Sequence, residues 1–179
     1  MESLGQMEKL VGTTRRVLCM LGALSFALSC GSCSTKNKPS ENKAANFDYT
    51  LPDGSTHKLS ALHSEYVILY FHNPECRECA TVKEKLVSSP ILNTLQQKGQ
   101  LKILALYPDE DLKACRQHLP EMPAEWINAY DKGTIIKNRE LYDLKAIPTL
   151  YLLDKDKTVL LKDAPFESLE AYLAQKHRQ

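Results

Sequence analysis

A dominant charge is the first thing this sequence lacks. Its 23 Lys and Arg residues are offset by 22 Asp and Glu, for a net charge of +1. No stripe of Lys and Arg supplies locally what the total withholds, so no nucleic-acid partner is expected. A membrane-spanning segment is missing too: the apolar run at residues 17–28 falls short of the ~20 residues a spanning helix needs. There is no internal repeat, and no flavin or nicotinamide motif, so no bound redox cofactor is indicated. The six cysteines are not spread as a disulfide framework would be. Cys19, Cys30 and Cys33 lie near the start, Cys76 and Cys79 form a tight pair, and Cys115 stands alone. What is present is 179 residues, 43% hydrophobic and 25% charged, the make-up of one globular domain with a short appendage.

The appendage reads as an address followed by a tether. Arg15 and Arg16 precede the apolar run, and Ser29-Cys30 close it; a basic start, a short apolar core and a small residue describe a secretory signal. Ser29-Cys30 resembles the lipidation box of bacterial lipoproteins, which implies Cys30 as the lipid-bearing residue, with Cys33 as the weaker acceptor. The expected organisation is a signal peptide at 1–30, a polar tether at 31–46 and a folded domain at 47–179. A tether of this composition buries no core and holds a domain roughly 20 Å from the bilayer as a random coil. The expected location is the periplasmic face of a bacterial membrane. Cys30-Gly31-Ser32-Cys33 repeats the C-x-x-C spacing, but at the signal junction, so it is not read as a redox pair.

Beyond residue 47 the pattern alternates. Residues 66–72 (YVILYFH) are continuously apolar, as a central strand covered on both faces must be. A helix is predicted over 76–87, with Val82 and Leu86 on one face. Ser89-Pro90 restarts a second helix to about Gln97, because serine caps and proline suits the first helical position. Residues 101–107 form another buried strand, followed by a helix from Asp109 to about Leu119. This strand–helix–strand order predicts a right-handed crossover. Residues 151–153 and 159–161 then form a hairpin across the polar turn 154–157. A last helix follows Pro165, with Phe166, Leu169, Tyr172 and Leu173 inward. A small hairpin at 47–51 and 56–59 precedes the whole.

Cys76-Arg77-Glu78-Cys79 falls where the first buried strand hands over to a helix. Residues three apart on a first turn share a face at a separation suited to a disulfide. A helix N-terminus favours an anion, and the thiolate is the nucleophile, so Cys76 is placed to attack and Cys79, one turn inside, to resolve. Arg77 favours the thiolate while Glu75 and Glu78 oppose it, and His72 at the strand end is a further tuning candidate. Cys76, Cys79, Cys115 and His118 have zinc-like spacing, but they belong to elements that nothing obliges to meet, so no metal is expected.

Asn73-Pro74-Glu75-Cys76-Arg77-Glu78-Cys79 after a buried strand, with Ala146-Ile147-Pro148-Thr149 before the next, resembles the thioredoxin superfamily. The resemblance implies a three-layer α/β sandwich, a central mixed sheet with helices on both faces, here extended by the N-terminal hairpin. It implies a cis-proline at Pro148 beside the cysteines, and a substrate strand held by Ile147, Pro148 and Thr149. Residues 51–62 (LPDGSTHKLSAL) are similar to the exported TlpA/ResA branch, and 125–131 with YLLDKD to thioredoxin-like bacterial lipoproteins of undefined function. The implied activity is thiol–disulfide exchange on proteins, as a reductase rather than an oxidase. The only redox group would be the Cys76–Cys79 disulfide, reset by a membrane partner, in a monomer. The alternative is an anchored peptide-binding module without catalysis. Glu75 replaces the usual tryptophan, Arg77-Glu78 the usual Gly-Pro, and Tyr70 the buried acid of the family. Asn73 stands where peroxidases of this architecture carry threonine, which argues against that activity.

Overall fold

The computed structural model describes residues 42–109 and 111–178. The expected leader, Cys30 and Cys33, and most of the tether lie outside them. Among the described residues no helix is long and apolar enough to cross a membrane.

Seven strands form one mixed sheet in the order β2-β1-β5-β4-β3-β6-β7. Its centre is β3 (Tyr66–Phe71), paired in parallel with β4 (Leu101–Tyr107) and antiparallel with β6 (Thr149–Asp154). β5 (Ile127–Tyr130) extends the parallel part, and β7 (Val159–Lys162) flanks β6. β1 (Asp48–Thr50) and β2 (Thr56–Lys58) are the N-terminal hairpin, which joins the sheet antiparallel to β5.

The β3 sequence dictates two covered faces. Ile68 and Tyr70 point to one core and Val67, Leu69 and Phe71 to the other, all of them essentially inaccessible. The first face is covered by α1 (Arg77–Ser88), α2 (Pro90–Gln97) and α5 (Phe166–Lys176) through Leu86, Leu92, Leu95, Leu169 and Leu173. Both crossovers, β3 to β4 and β4 to β5, step the same way across the sheet. Right-handedness therefore puts α3 (Leu112–His118) on this face as well. The second face is covered by the one-turn α4 (Ile135–Asn138), by Leu59 and by the coil around Tyr142.

Local signals explain most boundaries. Ser89 Oγ accepts from Leu92 N–H at 3.4 Å with Pro90 at the first position of α2. In the β6–β7 turn Asp154 Oδ1 accepts from the backbone N–H of Asp156 (2.9 Å) and Thr158 (2.8 Å).

The structure differs from the sequence reading in several places. α1 begins at Arg77 rather than Cys76, because Cys76 is extended and serves as the N-cap. α3 begins at Leu112 rather than near Asp109, because Asp111 is the residue whose carboxylate accepts from Lys113 and Ala114 N–H. β5 and α4 were not anticipated. The domain is also tied down earlier than Phe47: Val159 N–H donates to Asn42 O (2.7 Å) and Ala44 N–H to Lys157 O (2.9 Å).

Candidate active site

The parallel strands β3 and β4 end together, and the chain leaving β3 must turn at once into α1. Asn73-Pro74 makes that turn: Asn73 Oδ1 accepts from Glu75 N–H at 2.9 Å, and Asn73 O accepts from Cys76 N–H at 3.1 Å. Asparagine mimics a backbone turn in this way. Cys76 thus lands at the N-cap of α1 with φ −89° and ψ 117°, and its sulfur accepts from Cys79 N–H at 3.2 Å. A first-turn N–H that would otherwise lack a partner is aimed at the sulfur.

Cys76 is half-buried and Cys79, at 2% exposure, is shut into the first core. Burial pushes the Cys79 thiol well above the ordinary thiol range, since a low-dielectric site disfavours the thiolate. The two cysteines therefore have unequal access, one facing solvent and one behind it.

The opposite wall is the Ala146–Thr149 segment. Ile147-Pro148 is a cis peptide, and the Ile147 carbonyl oxygen lies 3.7 Å from Cys76 Sγ. Thr149 Oγ1 donates to Ala146 O at 2.6 Å and so clamps the turn, while Thr149 itself is the register partner of Phe71. Ile147 is thus brought against Cys76, with Pro148 and Thr149 next in the chain. Glu75, Arg77 and Glu78 are all exposed, and of the three Glu78 places its Oε2 3.7 Å from Cys76 Sγ.

His72 and Tyr70 lie behind the pair. The Tyr70 hydroxyl donates to Cys79 O at 2.6 Å, and burial pushes its own pKa far up, so it stays a neutral donor. The His72 ring stacks on Tyr70 with centroids 4.8 Å apart and 16° between planes. Burial first, and Lys83 second, push its pKa down to about 4. The imidazole is thus held neutral against Tyr70. Trp126 meets Tyr70 edge-on at 6.1 Å. Sequence reasoning treated Tyr70 only as a departure; the hydrogen bond to Cys79 gives it a place in the site. The sequence marked Trp126 as the single tryptophan and as part of the 125–131 resemblance, but not as a neighbour of Tyr70. Among the described residues no three His, Cys, Asp or Glu side chains converge on a metal-binding arrangement.

A mixed sheet with covered faces, a C-x-x-C at a helix N-terminus and a cis-proline opposite define a thioredoxin-type molecule. The comparisons agree: residues 64–159 match the thioredoxin-like family, and the chain belongs to it. The thiol-disulfide oxidoreductase ResA of Bacillus cereus is 32% identical over 161 residues, spanning 88% of this chain and 90% of that one. A thioredoxin-like protein of Bacteroides caccae is 50% identical with a TM-score of 0.73; the match covers 76% of this chain but 49% of that one. A putative thiol:disulfide interchange protein DsbE of Chlorobium tepidum is 26% identical, with a TM-score of 0.61 over 75% of this chain and 92% of that one.

Proposed function

We propose that the chain exchanges disulfides of protein substrates through Cys76 and Cys79, as a reductase, from an exported and membrane-anchored position. The observation that carries this reading is Cys76 at the N-cap of α1, 3.7 Å from the carbonyl of Ile147, with Cys79 buried behind it.

The steps follow from the geometry. The Cys76 thiolate attacks a substrate disulfide; an Sγ–S bond forms, the substrate S–S bond breaks, and the departing sulfur takes a proton. The Ile147 backbone and Pro148 hold the substrate strand meanwhile. Cys79 loses its proton and attacks Cys76 Sγ, freeing the second substrate thiol and leaving the Cys76–Cys79 disulfide. Two electrons have then passed to the substrate. A partner carrying a dithiol returns the pair to its reduced state, so no dissociable cofactor is needed. The reducing direction is supported by the charges around Cys76. A carboxylate and a carbonyl oxygen at 3.7 Å from Cys76 Sγ work against the Cys79 N–H that donates to it at 3.2 Å, and couples whose reduced form is less stabilised are the poorer oxidants. The leader read at residues 1–30 supports export, and Cys30, less so Cys33, supports the lipid anchor.

The test is a redox titration of the pair against dithiothreitol or glutathione buffers. A potential near about −270 mV or lower supports the reductase, and one near about −120 mV would make the protein a disulfide donor instead. A pair that does not cycle refutes the exchange reading and leaves a binding module.

A further inference from the structure

On the sheet face opposite α1, an open groove of about 590 Å³ lies between the coil that follows α4 and the β6–β7 edge. Its size is that of sites that bury a sizeable ligand. The floor is firm. Tyr142 and Tyr151 meet edge-on at 5.0 Å and 89°. Both hydroxyls are engaged, Tyr142 donating to Ala45 O at 2.7 Å and Tyr151 accepting from Asp143 N–H at 3.1 Å. Ala44, Leu141 and Leu144 add apolar surface between them.

The rim is basic. Lys43, Lys137, Lys145 and Lys162 border the groove against two acids, Glu140 and Asp143. Lys145 and Lys137 are engaged at 3.4 Å by Asp143 and Asp109, so the charge presented to the groove falls mainly to Lys43 and Lys162. Lys162 sits directly across the strand pair from Tyr151, so charge and aromatic floor adjoin.

The groove's wall leads along the chain to the redox site. Residues 140–145 form its wall, and two residues beyond Lys145 the chain reaches Ile147, whose carbonyl faces Cys76. Two residues span at most roughly 7 Å. Ile147 also packs against both cores, so the wall and the cysteine pair share one support.

We propose that this groove is a substrate exosite: it takes an acidic, apolar-containing segment that flanks the reactive cysteine of the protein being reduced. The lysines select for carboxylates, the tyrosine floor takes the apolar side chains, and Cys76 receives the neighbouring disulfide. This deepens the exchange reading and rests on it.

The experiment uses the full chain with two synthetic peptides that share one disulfide. One carries Asp, Glu and Leu beside it and the other Lys, Arg and Leu; a small aromatic disulfide serves as the third substrate. The acidic peptide is expected to be favoured on the order of tenfold in kcat/KM, as several exposed ion pairs of modest strength supply together. The difference should sit in KM, because ground state and transition state are held alike. Lys43→Glu with Lys162→Glu should abolish or invert the preference. Raising ionic strength to about 0.5 M should erase it in the unaltered chain, where no folding defect can intrude. Equal rates on the two peptides, or a preference insensitive to salt, would overturn the exosite alone. Failure to reduce any of the three substrates would overturn the exchange chemistry beneath it.

Discussion

Acid should loosen this fold through His72, and the cost can be worked from its surroundings. The ring is held flat against Tyr70 in the first core and remains neutral until about pH 4, against an ordinary value of 6.5. Between those two values the unfolded chain takes up a proton that the folded chain refuses. Stability must therefore fall as pH drops through that window, and below about 4 this group adds no further slope. A difference of about 2.5 pH units corresponds to about 3 kcal/mol in full, of which roughly 2 kcal/mol is reached by pH 4.5. Against a total of about 5–15 kcal/mol this is a visible share. Urea unfolding of the wild type at pH 7 and pH 4.5 measures the loss, and His72→Phe isolates it. Phenylalanine keeps the stack on Tyr70 and carries no proton, so its curve should be flatter by roughly that 2 kcal/mol. Asp131, whose carboxyl is raised by burial, works in the opposite sense in both proteins and cancels in the comparison. Parallel losses in wild type and His72→Phe would refute the reasoning, for the imidazole would then accept its proton in place.

Tyr70→Phe removes the 2.6 Å hydrogen bond to Cys79 O inside the core, and should cost about 1 kcal/mol, read as a fall of a few degrees in melting temperature. Asp131→Ala should cost about 1–3 kcal/mol and speed amide exchange at Ile135 and Ile136, whose N–H groups its carboxylate accepts at 3.0 and 2.7 Å. Leu169→Ala in α5, fully buried between the helix and the sheet, should cost about 2–5 kcal/mol in chemical unfolding. Cys79→Ala should accumulate a mixed disulfide between Cys76 and its substrate, visible as a mass shift lost on reduction; an unmodified protein after exposure to substrate would count against Cys79 as the resolving thiol.

Strong local periodicity is what made the fold legible. The β3 and β4 strands are long and apolar on both faces, and α2 announces itself by Ser89-Pro90, so their places followed from residues alone. The hairpin at β6–β7 was equally plain from its polar turn. β5 escaped because its four residues, two half-buried and then two buried, include Asn128 and make no apolar run, and its place is fixed by pairing with β4. α4 escaped because its start depends on Asp131, which reaches forward from β5 to cap it, an interaction no spacing rule encodes. In the site, the Cys76–Cys79 pair and the Ile147-Pro148 turn stood out because each is a short motif with a fixed neighbour. The charge on Cys76 did not: Glu78 folds back to 3.7 Å while Arg77 points to solvent. That choice is made by side-chain rotamers rather than by order in the chain. Nor did the sequence join four lysines spread over residues 43–162 into one rim.

The two borders of the sheet are guarded by different means. β2, at one border, is exposed along its length and carries Lys58, ion-paired to Asp48 at 2.7 Å. Such charge discourages a second sheet from docking. β7, at the other border, is guarded where it begins by the chain itself, through the bonds that Asn42 and Ala44 make to Val159 and to Lys157 in the turn before it. Trimming the protein back to Phe47, where its sequence first looks folded, would strip that cover and leave open backbone donors and acceptors beside an apolar strand. Self-association through β7 is then the expected behaviour. The residues that look like spare leash are, in solution terms, what keeps one copy from zipping onto the next.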